Sequence, residues 1–390
     1  MRIRKVAAVT MAACLAASAL AGCGSKKSDE KVIKIGVFEP TTGENGGGGY
    51  QEVLGIRYAN EMHPTVNIGG EEYAVRLVEV DNKSDKTEAV NAAQKLVSEK
   101  VSVVLGSYGS GVSIAAGQIF ADAKIPAIGC SCTNPQVTEG NDYYFRVCFI
   151  DPFQGTVLAN FAKDQFSATK AYCLAKQGDD YSVGLCNYFM KAFGEENCVY
   201  EVFPEGTSDY SSYVTSAKNS GADVFFAPVS IEAAALILDQ AATQDLGMPM
   251  LAGDTWDSNV ITEAAKGKSN IDLYVTTFYQ EGGNAEFDAA FKEWINSDST
   301  NLTNNNGNDM IAAVSVMGYD AYYVALEALK AAGSTNPADV MTALWDVTYD
   351  GITGHIAFDD ENGDAVRDLA YVKHCNTETG AWDLVGEQGV

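Results

Sequence analysis

Apolar residues recur along this chain with two alternating patterns, one typical of strands and the other typical of amphipathic helices. Some runs are continuously apolar or alternate with polar residues, as strands do, and others repeat apolar positions every three or four residues, as amphipathic helices do. The strand-like runs include 32–40, 72–81, 101–107 and 125–130, and the helix-like runs between them include 50–63, 84–100 and 110–123. We take Ser84 as the N-cap of the second helix. Strands and helices in this order predict a parallel sheet with helices on both faces.

The same alternation begins again at about residue 151 and continues to residue 254. Together with a length of 390 residues, it predicts an α/β protein with two doubly wound, Rossmann-like lobes. The stretch 351–375 has a different pattern, because two β-type runs flank the turn-forming residues 359–364. This pattern predicts a hairpin with its turn at 359–364.

The first 22 residues have the features of an export signal. Arg2, Arg4 and Lys5 precede an apolar run that is too short to span a membrane comfortably. The residues Leu-Ala-Gly before Cys23 resemble a bacterial lipobox, which predicts that Cys23 becomes the diacylated first residue of the mature chain. A plain secretory signal with a chance cysteine is the alternative. Residues 23–31 would then form a flexible polar tether.

The charge of the chain is strongly negative, with 26 basic and 52 acidic residues and a net charge of −26. Removal of the signal, which carries three basic and no acidic residues, would take the net charge to −29. Such a field repels phosphate backbones and anionic lipid headgroups. We therefore expect no nucleic-acid partner, and we expect membrane attachment through the lipid on Cys23.

The cysteines do not form a recognisable metal or disulfide pattern. Nine are present, and seven remain after Cys14 and Cys23 are set aside: Cys130, Cys132, Cys148, Cys173, Cys186, Cys198 and Cys375. An odd number cannot pair completely within one chain. The Cys-Ser-Cys sequence at 130–132 lacks the four ligands of a structural zinc site, and the three histidines have no ligand spacing. We predict neither a metal nor a cofactor.

Three loops that follow predicted strands carry candidate binding residues. In doubly wound sheets, ligands bind beyond the carboxyl ends of the strands. At 106–113 a helix begins near Ser110, where free N–H groups and the hydroxyl can hold an anion. Ser131 and Thr133 follow the next strand, and Asp254 ends a strand of the second lobe. Each loop has a structural alternative, since Asp254 could cap a helix near Ser258.

Four segments together resemble the branched-chain amino-acid binding proteins of ABC transporters, the leucine/isoleucine/valine-binding type. The segments are 34–43, 104–138, 252–258 and 318–333, and the likeness spans roughly 32–375. The resemblance implies a type I periplasmic binding protein fold, in which three crossover strands join two lobes around a hinge. The crossovers would lie at 144–151, 273–279 and 351–356.

The resemblance also implies discontinuous domains and a set of ligand-binding residues. Lobe one would comprise 32–148 and 280–352, and lobe two 149–279 and 353–390. Ser110 and Thr133 would bind an α-carboxylate, Ser131 would offer its carbonyl to the α-ammonium, Asp254 would supply the counter-charge, and Tyr181 would reach in from lobe two. Further candidates are Gly109, Tyr50, Ser230 and Trp256, although Trp256 could instead be a packing residue.

Two departures from the family pattern concern the ligand side chain. The aromatic residue usual in the first loop falls near Gly48, within a run of four glycines, so that either Tyr50 replaces it or the pocket is wider there. A disulfide found in some members is missing, because Ser84 and Gly109 occupy the corresponding positions. The departures affect the side-chain pocket rather than the groups that hold an α-amino acid.

The expected function is that of an extracytoplasmic lipoprotein, anchored to the cell membrane, that captures an amino acid and delivers it to the permease subunits of an ABC importer as a monomer. One alternative is that it presents its ligand to a membrane sensor, and another is that it binds a carboxylate that is not an amino acid. An enzyme is not expected, because neither a GxSxG elbow nor a GxxxxGK[ST] loop is present.

Overall fold

The structure, a computed structural model, describes residues 30–390. The predicted signal peptide, the lipidation site Cys23 and nearly all of the tether lie outside the described residues. The strands are β1 Val32–Glu39, β2 Thr65–Ile68, β3 Glu71–Asp81, β4 Val103–Leu105, β5 Ala127–Gly129, β6 Tyr144–Arg146, β7 Ala171–Lys176, β8 Cys198–Phe203, β9 Val224–Phe226, β10 Met250–Ala252, β11 Leu273–Thr277, β12 Thr348–Gly351, β13 Gly354–Ala357, β14 Ala370–Asn376 and β15 Ala381–Gln388.

The helices alternate with these strands as the sequence predicts. They are α1 Gly46–Met62, α2 Lys86–Glu99, α3 Ser110–Ala123, α4 Asp151–Phe166, α5 Asp180–Phe193, α6 Ser211–Ser220, α7 Ile231–Thr243, α8 Asn259–Ala265, α9 Ala285–Ser297, α10 Ser299–Asn304, α11 Ala313–Ala332 and α12 Pro337–Leu344. Over residues 30–390, no helix combines the length and the apolar character needed to cross a membrane.

The strands form two large sheets, and this confirms the predicted α/β class with two doubly wound lobes. The first sheet has the order β2-β3-β1-β4-β5-β6, and the second has the order β15-β14-β11-β10-β9-β7-β8. Strands β1 and β3 to β6 are parallel, as are β7 to β11, whereas β2, β14 and β15 pair antiparallel at the edges. The apolar faces of both sheets are buried beneath helices, which is the usual arrangement of parallel sheets.

The predicted hairpin at the C-terminal end is wrong in its strand pairing. Strand β13 pairs with β12 in a separate two-stranded sheet, and β14 pairs with β11 and β15. Residues 359–364 do form a turn, because the Asp359 carboxylate accepts three backbone N–H groups, but a single bridge joins Phe358 to Ala365 beside it. The stretch 351–356 is therefore the turn and second strand of the β12–β13 hairpin rather than a plain crossover.

The N-cap of α2 is Asp85 and not the predicted Ser84. Asp85 has an extended backbone, and its carboxylate accepts the N–H groups of Thr87 and Glu88. Ser84 has a left-handed backbone with φ 57°, which an N-cap does not adopt, and its hydroxyl accepts the N–H of Asn45 instead. Two adjacent polar residues can each cap a helix, and the sequence pattern does not distinguish them.

Helix α1 begins at Gly46, four residues before the predicted start, so the glycine run is helical. A Cβ at Gly49 would lie 1.9 Å from the carbonyl oxygen of Pro40, and one at Gly55 would lie 1.7 Å from that of Ser315 in α11. Glycine is therefore required where α1 meets the β1–α1 loop and α11. Since α11 follows β11 of the second sheet in sequence, the chain returns to lobe one, as discontinuous lobes require. The residue boundaries of the lobes stay a prediction.

Arg146 at the end of β6 is fully buried and joins three distant segments. Its guanidinium donates to the carbonyls of Cys132 and Asn134 at 2.9 and 2.7 Å, and to the Asp364 carboxylate at 2.5 Å. Asp364 also accepts the hydroxyl of Thr138 at 2.8 Å. The loop after β5 is thereby attached to β6 and to the segment that leads into β14.

Replacing Arg146 with methionine should lower the free energy of unfolding by about 3–5 kcal/mol, because it removes the only charged partner that the Asp364 carboxylate has in the described residues and leaves the carbonyls of Cys132 and Asn134 without the guanidinium. The matched control is Arg57→Met. Arg57 pairs with Glu79 at 2.6 Å on the surface, where such pairs contribute about 0–1 kcal/mol. Urea denaturation of both variants measures the difference, and an equal loss for the two would contradict the role given to Arg146.

Candidate ligand-binding cleft

A cavity of about 220 Å³ lies between the two lobes. Its lining consists of the loops that follow β1, β3 and β4 on one side and β7, β8, β9 and β10 on the other. All of these loops are at the carboxyl ends of their strands, where doubly wound sheets bind ligands. The volume is below the roughly 300–1,000 Å³ of pockets for drug-sized molecules, which favours a compact ligand.

Helix α3 presents an uncapped N-terminus to this cavity. Gly109 precedes the helix and supplies no side-chain acceptor, whereas α2, α5 and α7, which also begin at the cavity, are capped by Asp85, Asp179 and Ser230. The first-turn N–H groups of α3 are thus left for a ligand, and the helix dipole favours an anion there. The Ser110 hydroxyl lies at the same place and accepts the N–H of Asn134 at 3.2 Å.

Thr133 lies on the neighbouring loop, with its hydroxyl buried and without a hydrogen-bond partner in residues 30–390. Both carboxyl oxygens of Asp151 are likewise buried and unpartnered there. Burial raises the pKa of Asp151 to about 8, against the lowering effect of the nearby Thr133 hydroxyl. Unsatisfied buried polar atoms are uncommon in proteins, so these groups on the loop after β5 and at the start of α4 indicate a place where a polar ligand or a proton is held.

Asp254 follows β10 in lobe two and is adjacent in sequence to Thr255, which lines the cavity. Its carboxyl is 3% exposed and accepts hydrogen bonds from the Gln154 amide at 2.9 Å and the Tyr181 hydroxyl at 3.0 Å. Burial raises its pKa to about 7, while these two hydrogen bonds act in the opposite direction. An ammonium group placed against Asp254 would restore the charged form, because an opposite charge favours ionisation. Asp254 does not cap α8, whose N-cap is Ser258.

Two buried carboxyl groups support the loops from beneath. The Ser131 hydroxyl donates to Glu52 at 2.5 Å, and the backbone N–H of Tyr108 donates to Glu39 at 2.7 Å. Burial is the largest cause that raises the pKa of both glutamates, and the proximity of Glu52 raises that of Glu39 further. Burial thus favours the protonated, neutral forms of these carboxyls.

The ligand atoms of Glu39, Glu52 and Cys130 lie within 4.8 Å of one another, a spacing that a metal ion could also use. Burial raises the pKa of the Cys130 thiol well above its usual range, which opposes the thiolate that a metal needs. Cys132 is fully buried as well. The two cysteines that flank Ser131 therefore act as packing residues.

Tyr108 is a cavity residue that the sequence analysis missed. Its ring is 7% exposed in the lining, and its hydroxyl donates to the carbonyl of Thr255 in lobe two at 2.9 Å. A Cβ at Gly48 would lie only 2.5 Å from this ring. The absence of a side chain at Gly48 thus makes room for Tyr108, and the pocket is not wider at the glycine run as one expectation had it.

The other predicted site residues divide into three groups. Gly109, Ser110, Tyr181 and Ser230 line the cavity. Ser131, Thr133 and Asp254 are buried in the loops just described. Tyr50 and Trp256 do not line it: Tyr50 borders a separate surface pocket near Glu79, and Trp256 is fully buried with its Nε1 bonded to the carbonyl of Val229. Neither residue lines this cavity, and their predicted contact with a ligand stays a prediction.

Ion pairs close the mouth of the cavity from opposite lobes. Lys176 of lobe two pairs with Glu44 of lobe one at 2.8 Å, and Lys86 of lobe one pairs with Asp180 of lobe two at 2.8 Å. The N–H of Ile231 donates to the Asn45 side chain across the same gap at 3.3 Å. The structure therefore has the lobes closed on each other.

Two lobes that close over a cavity at their strand ends define a class of solute-binding protein. A sequence model of the periplasmic binding protein family matches residues 32–379, and the chain belongs to that family. The members of this family are substrate-binding proteins. The sequence analysis named the branched-chain amino-acid type of this family, and the individual relatives agree with it.

Three relatives illustrate the similarity. A Leu/Ile/Val-binding protein homolog of Brucella abortus is 29% identical over 358 residues, which cover 89% of this chain and 91% of the relative. The leucine-binding protein LivK of Thermotoga maritima superposes with a TM-score of 0.80 at 32% identity, covering 92% of this chain and 99% of LivK. LivJ of Streptococcus pneumoniae, in complex with isoleucine, has a TM-score of 0.78 and 25% identity, with coverage of 92% and 99%.

The pKa of Asp151 predicts an unusual pH dependence of stability. Between its unfolded value near 4 and its folded value of about 8, the folded state holds a proton that the unfolded state has lost, so stability should fall as the pH rises through this range. Asp151→Asn removes this effect. Its melting temperature should exceed that of the parent by at least about 2–4 °C at pH 8 and match it near pH 4.

The control for this prediction is Asp209→Asn. Asp209 is exposed, and hydrogen bonds from Ser211 lower its pKa, so this variant should not gain stability at pH 8. Melting temperatures of both variants and the parent, measured without ligand from pH 4 to 8, make the comparison. A parallel pH profile for Asp151→Asn and the parent would contradict the raised pKa.

Proposed function

We propose that this protein captures an α-amino acid between its lobes and delivers it to an ABC importer. The observation that carries the proposal is the pairing of an uncapped helix N-terminus at Ser110 with a buried carboxyl group at Asp254. The first suits the carboxylate of a zwitterion and the second suits its ammonium group. The names of LivK as leucine-binding and of LivJ in complex with isoleucine support an amino acid as the ligand.

In this proposal the ligand carboxylate binds the first-turn N–H groups of α3 and the hydroxyls of Ser110 and Thr133. The unpartnered Thr133 hydroxyl then gains an acceptor. The ammonium group binds the Asp254 carboxylate and the backbone carbonyl of Ser131, with Tyr181 closing from lobe two. Each charge of the ligand thereby meets an opposite charge or dipole inside a closed cleft, where charge-assisted hydrogen bonds are strong.

A second candidate ligand is a carboxylate without an ammonium group, and one observation favours it. Asp254 is already hydrogen-bonded by Gln154 and Tyr181, and its pKa of about 7 allows it to remain neutral at ordinary pH. A thermal-shift screen of the twenty amino acids and a set of short carboxylates separates the two, since only ligands that bind the folded state raise its melting temperature.

Asp254→Ala should weaken amino-acid binding by roughly 30-fold to several thousand-fold, because loss of one partner of a buried charge pair costs about 2–5 kcal/mol. Cys132→Ser is the control, since Cys132 is a packing residue and its change should have a small effect. Calorimetry with the best ligand of the screen measures both. If Asp254→Ala binds as tightly as the parent, the ligand has no ammonium group near residue 254.

We further propose that the protein acts on the outer face of the cell membrane, held there by lipid on Cys23, and that it meets the permease as a monomer. The basis is the lipobox-like sequence before Cys23 and the polar residues that follow it. Delivery of the ligand to a membrane sensor would use the same anchor and the same closed cleft.

Cys23→Ala should abolish lipidation, because residue 23 then has no thiol to accept the diacylglycerol. The variant should move from the membrane fraction to the soluble or secreted fraction, or accumulate as the uncleaved precursor. Cys198→Ala, which removes a partly exposed thiol of the folded domain, serves as the control and should stay with the membrane. Membrane fractionation and intact mass measure the outcome, and an unchanged distribution of Cys23→Ala would refute the anchor.

A further inference from the structure

We infer that the amino acid bound by this cleft has a neutral, hydrogen-bonding side chain, a hydroxyl or a carboxamide, rather than a branched aliphatic one. The inference rests on the proposed function for the α-amino and α-carboxylate groups and concerns the remainder of the ligand. It follows from the chemistry of the cavity wall.

The wall offers little apolar surface to a ligand. Among the nineteen described residues that line the cavity, Pro40 and Val112 are the aliphatic ones apart from glycine. The rings of Tyr108 and Tyr181 add apolar area, but most of the remaining side chains carry hydroxyl, amide or charged groups. Ligand pockets for apolar groups are lined mainly by hydrophobic and aromatic side chains, and this cavity is not.

An inter-lobe ion pair lies in this wall. Lys176 and Glu44 are partly buried, with side chains 16% and 28% exposed and their charged atoms 2.8 Å apart. An aliphatic side chain packed here would remove water from both charged groups without offering them a hydrogen bond, and desolvation of charged groups is costly even when they remain paired. The Ser230 hydroxyl, on the α7 N-terminus, lines the same cavity and would lose its water as well.

The ion pair also indicates which polar side chain fits. Glu44 supplies a hydrogen-bond acceptor and Lys176 supplies a donor, so a group that is both donor and acceptor satisfies the two together. The charges of the pair already balance, and Lys86 is balanced by Asp180 in the same way. Of the other carboxylates in the lining, Asp85 and Asp179 cap helices and Glu205 is exposed to solvent. A neutral side chain leaves this balance intact, whereas a charged one would disturb it.

Pairs of amino acids with nearly the same shape test the inference directly. Threonine differs from valine, and asparagine from leucine, mainly by the exchange of methyl groups for polar ones. Calorimetry on the unmodified protein should find the polar member of at least one pair bound about tenfold more tightly or better, as expected when a binding site is left with an unpaired polar group.

Each other result has a defined meaning. Tighter binding of valine and leucine than of threonine and asparagine would overturn the inference but leave the proposed function intact. Lysine or glutamate as the tightest ligand would overturn it too, because the side chain would then be charged. Failure of all twenty amino acids to bind would instead overturn the proposed function on which the inference rests.

A substitution at Lys176 distinguishes a direct contact between this residue and the ligand from an effect on the closure of the lobes. Lys176→Met should weaken binding of the preferred polar ligand about tenfold while its aliphatic counterpart is bound equally well or better, so that the ratio of the two affinities falls. Lys86→Met is the matched control, since it removes the other inter-lobe ion pair, and Lys86 is 52% exposed although it also borders the cavity, whereas Lys176 is 16% exposed. It should change both affinities by the same factor and leave their ratio unchanged. An unchanged ratio in Lys176→Met would overturn the inference.

Discussion

The buried guanidinium of Arg146 is the interaction on which the geometry of the cleft depends. It satisfies the carbonyls of the loop that contains Thr133, at the end of the strand from which the chain leaves lobe one, and it pairs with Asp364 on the segment that leads back into the second sheet. A loop of the binding site and two of the connections between the lobes therefore share one side chain. A movement of either segment would have to preserve this buried charge pair, because separating its two charges is costly.

The interior around the cavity carries an excess of acid. Asp151, Asp254, Glu39 and Glu52 are all buried, and burial raises the pKa of each. None of the four forms an ion pair with a basic side chain in the described part of the chain. The raised pKa values favour the protonated, neutral forms of these carboxyls, since a buried charge without a partner is costly. Under the proposed function, the ammonium group of the ligand would pair with Asp254, because an opposite charge favours ionisation.

Much of this arrangement could be predicted from the sequence where the signal is local. The alternating periods located the strands and helices, and the strand-end position of Ser110, Thr133 and Asp254 placed them at one edge of the sheets. The glycine run at 46–49 was expected to be a loop, because glycine has a low helix propensity, but close contact with Pro40 requires glycine in a helix there. The pairing of Arg146 with Asp364 joins residues 218 positions apart and leaves no periodic signal.

The contact between Gly48 and Tyr108 has a consequence for how this cleft can change. A side chain at residue 48 and an aromatic ring at residue 108 compete for one volume, so the two positions are epistatic. An aromatic residue introduced at position 48 would need the Tyr108 ring to move or to be replaced by a smaller side chain. The two positions therefore shape this part of the cleft together, and a library that varies both reaches arrangements that substitutions at one position alone do not.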